Sequence, residues 1–257
     1  MAKPLSPKQE PRLYPKARIA RSFFRTHFGP EEQRDNRDFC MFAFEPNPSH
    51  IERHREMQQE YEKMGWRYHF IQGGVSDVDG NLTFYHTGDE YGYTTLKSSC
   101  RRRCDANHVP VYRLVDWIKQ EIDGRLIPEP YGAGEVYDSG PRVVMKLDIE
   151  MMEWVVFPDL LLAGVMCNDI TAIMGEFHLK PLWYLYPITF QGHATKTRGD
   201  TNFTIPKWEE ARTLKEEWVT MIERNPNCNT TLDLRDDESY RTDGVSWPVP
   251  SNVNATI

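Results

Sequence analysis

Four short apolar runs, each closed by acids or chain breakers, limit what this chain can fold into. Residues 39–44 are continuously apolar and stop at Glu45-Pro46-Asn47-Pro48. Residues 66–71 are rich in aromatics and stop at Gly73-Gly74. The segment PRVVMKLDIE runs into Lys146, Asp148 and Glu150, and DITAIMGEFH ends on Glu176-Phe177-His178. Runs this short, bounded this way, read as strands covered on both faces rather than as helices. The two prolines after Glu45 cannot continue a strand ladder, so that strand has a fixed end.

Helical patterns separate the runs. Residues 18–28 are apolar at intervals and end at Gly29-Pro30. Ser49 offers an N-cap for a helix over 51–64, with Gly65 as its stop. Leu114, Trp117, Ile118 and Ile122 fall on one helical face. Residues 151–164 read as a helix or helical turn perturbed by Pro158, and residues 207–223 as an amphipathic helix. Asp79-Gly80 signals a hairpin turn, followed by an alternating strand over 81–86. Residues 109–112 form a short strand, and residues 183–190 offer a last one. Residues 87–107 and 124–140 read as loops, and the tail from Leu232 onward is loop-like. Strands alternating with helices predict an α/β fold with a mostly parallel sheet. The chain divides into an N-terminal arm and helix (1–38), an α/β core (39–190), and a C-terminal helix with an irregular tail (191–257).

Charge and composition exclude some partners. A net charge of −7 on 257 residues argues against nonspecific nucleic-acid binding. Arg101-Arg102-Arg103 is a local exception, read as a solvated loop. No stretch approaches the roughly 20 apolar residues that a membrane span needs. The first 16 residues hold four prolines and no apolar leader, so they read as an extended arm. Five cysteines, an odd number, argue against a complete disulfide framework, and Cys100 with Cys104 reads as free loop thiols. Absence of a leader points to the cytoplasm. Four N-x-S/T sequons, at Asn81, Asn202, Asn229 and Asn254, point instead to a secretory lumen.

The polar residues at strand ends are the candidate site, because in parallel sheets the functional crevice lies at the carboxyl ends of the strands. Glu45 can accept hydrogen bonds from a ribose hydroxyl pair, or simply start a turn. Asp148 and Glu150, two apart, point the same way in an extended segment, with Lys146 on that face. They can bind a cation, orient a hydroxyl, act as general base, or form a salt-bridged helix entrance. His178 suits a general base near neutral pH, or a structural role. Asp77 suits either a base-edge contact or a turn. His50 and His54 stand at helical spacing as a metal pair without a visible third ligand, and read as surface residues.

The order FEPNP, GVSDVDGNLTFYH, VPVYRLVDWI, VVMKLDIEMMEW and IMGEFH resembles the FkbM-type S-adenosylmethionine-dependent methyltransferases, over about residues 39–178. DDESYRTDG near the end looks like the tail of a eukaryotic branch of that group. The resemblance implies a Rossmann-like class I methyltransferase sheet and O-methylation of a hydroxyl on a sugar or small metabolite. It implies S-adenosyl-L-methionine as cofactor and no metal. Glu45, with Asn47, would hold the cofactor ribose, and Ser76 and Asp77 would lie near the adenine. Asp148, Glu150 and Lys146 would face the methyl-transfer site, and Glu176 and His178 the acceptor. The family's opening strand and glycine-rich loop would precede FEPNP. Residues 1–38 contain only Gly29, so the expected sheet lacks its first central strand. Met151 stands where the family commonly has glycine, at a position expected to need a positive φ. The competing expectation is a noncatalytic binding or scaffold protein that keeps the fold.

Overall fold

A computed structural model describes residues 17–30, 33–86, 93–94, 106–126, 141–178, 188–191, 202–205 and 208–235. The predicted cysteine pair 100/104, the arginine run, most of the two long loops and the proline arm lie outside these residues. The chain is mixed α/β with parallel sheets.

Strands β1 (Cys40–Glu45) and β2 (Arg67–Gln72) form a parallel pair joined by helix α2 (Ile51–Lys63). Asn47, not Ser49, directs the turn into this helix. Its Oδ1 accepts from the Ser49 N–H at 3.0 Å, capping a short 3₁₀ turn, Pro48–His50, that feeds α2. Gly73 leaves β2 where space is tight: an added Cβ would sit 2.7 Å from the Tyr112 ring and 2.8 Å from the Pro110 carbonyl oxygen.

The Asp79-Gly80 turn does not close a two-stranded hairpin. Strands β3 (Gly74–Ser76) and β4 (Gly80–His86) flank β6 (Ala106–Arg113), parallel on one side and antiparallel on the other. The short β5 (Tyr93–Thr94) extends β4. Val109 and Val111 of β6 turn inward beside Leu82 and Phe84, while His108 and Pro110 on its other face stay exposed. That burial favours the long-range pairing over the local one. Helix α3 (Leu114–Glu121) follows β6 directly, buried through Leu114, Val115 and Ile118. Arg113, at the junction, binds Asp159 with two nitrogens at 2.8 and 3.0 Å.

The third sheet carries the candidate site. Strand β7 (Val144–Leu147) pairs parallel with β8 (Ala172–Gly175), and β8 pairs with β11 (Thr231–Asp233). Between them run helices α4 (Glu153–Leu162) and α5 (Val165–Asp169). Helix α4 continues through Pro158. Its surroundings explain why: Trp154, Val156, Phe157 and Leu160 are all essentially inaccessible, and fully burying each such side chain is worth roughly 1.5–3 kcal/mol. Gly175 is required where β7 and β8 come close, since a Cβ there would lie 2.6 Å from the Leu147 carbonyl oxygen.

Leu232 and Asp233, at the start of the tail that reads as loop-like, instead belong to β11, and the tail beyond Arg235 lies outside the described residues. A disulfide, Cys167–Cys228, ties β11 to α5, and the buried Thr230 hydroxyl lies 2.6 and 2.9 Å from the Met166 and Ile170 carbonyl oxygens. These contacts are long-range in sequence, so no local pattern announces them. Helix α6 (Trp208–Arg224) packs Ala211 and Ile222 into the same core. The N-terminal helix α1 (Ala17–Phe28) places Phe23 against Ala172 and Met174. Strands β9 (Ile188–Gln191) and β10 (Asn202–Ile205) form a separate antiparallel pair. Among the described residues no strand is hydrogen-bonded between β1 and β7, the place where the resemblance puts the opening strand.

Candidate functional site

The chain passes from β7 into α4 through a strained turn. Glu150 and Met151 both have positive φ, 51° and 85°. Met151 holds this conformation without being glycine because its side chain is 1% exposed, locked in the core. Left-handed backbone costs roughly 1–2 kcal/mol per residue with a Cβ, which the packing offsets. The turn throws the Asp148 and Glu150 carboxylates toward the end of β8.

There they meet His178. Its Nε2 lies 3.9 Å from Asp148 Oδ1 and 3.6 Å from Glu150 Oε2. Its Nδ1 lies 2.9 Å from Glu153 Oε1, an interaction the sequence reading missed. Glu153 is fully buried at the first turn of α4, and the same Oε1 accepts from the Ile149 N–H at 2.8 Å. Lys146 pairs with Asp148 Oδ2 at 3.1 Å. Alternation along the chain after β8 sends Phe177 inward, where its ring centroid is 5.0 Å from Trp154 and 5.2 Å from Phe157. Glu176 and His178 are left at the surface of this aromatic cluster.

Electrostatics make His178 a cation. Burial alone would lower its pKa, but the hydrogen bond and charge of Glu153, then the charges of Glu150 and Glu176, raise it to about 10. A protonated imidazole donates hydrogen bonds; it does not take protons at neutral pH. Burial raises Glu150, opposed by His178 and reinforced by Asp148, Glu153 and Glu176. Glu150, 42% exposed, is therefore the carboxylate placed to receive a proton. Lys215 on α6 faces the same group: burial lowers its pKa while Glu176 raises it.

The residues expected at a cofactor ribose lie in a different cluster. Glu45 Oε1 accepts from the Asn47 N–H at 2.7 Å, while Oε2 lies 3.9 Å from both His50 Nδ1 and His54 Nε2. His50 and His54 are thus no plain surface pair; they enclose the end of β1. His54 Nδ1 meets the Tyr68 hydroxyl at 2.5 Å. Burial lowers the His54 pKa, helped by His50 and Arg53. Burial raises Glu45, opposed by the Asn47 N–H and His50. Asn47 is 3% exposed, with its side-chain oxygen spent on the cap. Ser76 is buried and its hydroxyl donates to Asp77 Oδ1 at 3.2 Å.

The structure therefore brings together Lys146, Asp148, Glu150, Glu176 and His178. It gives Glu45 and Asn47 partners of their own, and pairs Ser76 with Asp77. Glu153 carried one usable signal: a single acid inside the apolar run of residues 151–157, where a charge is rarely buried without a partner. A groove of about 530 Å³ runs along α6 past Thr213, Glu217 and Met221, and none of these clusters lines it. Asp148, Glu153 and His178 have the composition of a metal-ligand set, with donor atoms all within 4.8 Å of one another. No helix among the described residues is long and apolar enough to cross a membrane. No protein-family model, no curated protein and no solved structure matches this chain.

Proposed function

We propose that the chain is a class I, S-adenosylmethionine-dependent O-methyltransferase-like protein whose acceptor is a hydroxyl of a sugar or small metabolite. The observation that carries this reading is the convergence of Asp148, Glu150 and His178 outside the carboxyl ends of two adjacent parallel strands. Asp148 would orient the acceptor polyol. The Glu150 carboxylate would remove the hydroxyl proton as oxygen attacks the sulfonium methyl, a contribution typically worth ~10²–10⁴-fold. The His178 imidazolium would steady the neighbouring acids by donating to them. Holding acceptor and methyl donor in line can supply ~7–11 kcal/mol of the barrier. Glu45 Oε2, which no N–H or O–H binds among the described residues, would receive the ribose hydroxyls.

Calorimetry with S-adenosylmethionine tests the cofactor half. Saturable binding, weakened at least tenfold by Glu45→Ala, supports the reading; a folded chain giving no heat at millimolar cofactor refutes it. A noncatalytic binding protein is the second reading. It is favoured by two observations: β1 and β7 belong to separate sheets among the described residues, and Glu45 has its own partners. Transfer of labelled methyl to a sugar alcohol panel, abolished by Glu150→Gln, would exclude it.

The same proposal places the chain in an oxidising lumen. The Cys167–Cys228 disulfide and the exposed sequon residues Asn81 and Asn229 support it. Treatment with an N-glycosidase should increase gel mobility of the protein made in a secretory host; unchanged mobility would count against that compartment.

A further inference from the structure

We infer that Asp148, Glu153 and His178 form a binding site for one divalent transition-metal cation. Each contributes a donor atom, and the three atoms lie within 4.8 Å of one another. A cation with bonds of about 2.0–2.2 Å holds neighbouring donors roughly 3–3.5 Å apart, so small side-chain shifts close the set. Two carboxylates and one imidazole are the mixed oxygen and nitrogen donors suited to the manganese-to-zinc series rather than to calcium or magnesium.

Glu153 supplies an independent reason. It is fully buried at the start of an apolar helix. Its Oε1 is bound by the Ile149 N–H and by His178, yet its Oε2 has no hydrogen-bond partner. A buried carboxylate oxygen left this way is costly. A cation held with Asp148 and with His178, whose ring gives up one proton to solvent as the metal binds, gives that oxygen a partner. The surrounding charge also favours one: Glu150 lies 3.6 Å from His178 Nε2, and Glu176 adds to the field. Lys146 and Lys215 oppose it, Lys146 through its bond to Asp148 Oδ2. That bond leaves Asp148 Oδ1 as the oxygen facing the histidine.

The site does not depend on methyl transfer. If the transfer reading holds, the cation would sit where the acceptor hydroxyl is oriented; if it fails, metal binding remains.

The test is titration of the full-length, tag-free, chelator-washed chain with Zn²⁺, followed by calorimetry, with circular dichroism to confirm folding. One equivalent should bind with a dissociation constant in the micromolar range or below. His178→Ala and Asp148→Asn should each weaken binding at least tenfold. Asp148 sits at a half-exposed strand end, so its variant keeps the test valid if the histidine variant fails to fold. His50→Ala/His54→Ala should leave the affinity unchanged. No saturable binding up to millimolar Zn²⁺ would overturn the inference. So would full affinity in Asp148→Asn, or loss of binding in the His50/His54 double variant.

Discussion

His54 and His178 each stand beside a strand end, each with a carboxylate in reach, and their side chains are 20% and 16% exposed. Surface exposure is therefore similar, although His178 is the more deeply enclosed of the two, and at both burial disfavours the imidazolium. What differs is the company. His54 has one acid, Glu45, which does not outweigh burial, and the flanking His50 and Arg53 add to it, so its pKa falls. His178 has Glu153 on one nitrogen, Asp148 and Glu150 near the other, and Glu176 in its field, so its pKa rises to about 10. Desolvation opposes the charged form at both, more so at His178, and the number of nearby carboxylates decides which charge state survives.

The largest expected effect comes from removing the acid that most distinguishes the two sites. Glu153→Gln keeps the shape but breaks a buried charged pair, which should cost about 3–5 kcal/mol in urea unfolding. The His178 pKa, followed by NMR in chelator, should drop steeply. A value still near 10 would mean that Glu153 is not what separates His178 from His54.

The disulfide supports only the His178 side, through β11 and β8. Cys167→Ser/Cys228→Ser opens a link between residues 61 apart in sequence and should cost about 2–4 kcal/mol. Hydrogen exchange should accelerate at Thr231–Asp233 and stay unchanged in β1 and β2. Equal loosening of both regions would show that the two sites share one cooperative unit.

The pH dependences of the two histidines are opposite in sign. The folded-state pKa of His54 is below its ordinary 6.5. Its contribution is thus present above pH 6.5 and lost as pH falls through the folded-state value. His178 is raised from 6.5 to about 10. Its contribution is present below pH 6.5 and lost as pH climbs toward 10. In urea titrations of metal-free protein, His54→Asn should flatten the acid limb and His178→Asn the alkaline limb. Exchange of those two outcomes would invalidate the comparison.

The smallest effect concerns backbone strain, which only the His178 side carries. Asparagine tolerates the left-handed region better than glutamate, so Glu150→Asn should gain up to about 1 kcal/mol in thermal unfolding. A loss would mean that the Glu150 charge matters more to the fold than its φ of 51°.

Much of the fold was legible because its signals are local. The apolar runs ending at Glu45 and Asp148, the breakers after them, and the long amphipathic helix over residues 208–224 all appear where the pattern puts them. Pairing was less legible. Asp79-Gly80 marks a turn correctly, yet β6, beginning 26 residues later at Ala106, enters between the strands it separates. The positive φ at Met151 could be anticipated only through the resemblance, whose family commonly has glycine at this position. The role of Glu153 could not, because its partner His178 lies 25 residues away.

By itself the sequence determined which segments are strands, where proline and glycine stop them, and which strand ends carry acids. These follow from side-chain size, branching and backbone freedom, which act over a few residues. Only the tertiary structure decided that four acids converge on His178 while Glu45 closes with His50 and His54. That choice depends on which apolar faces pack together, and packing energy is summed over residues that are distant along the chain.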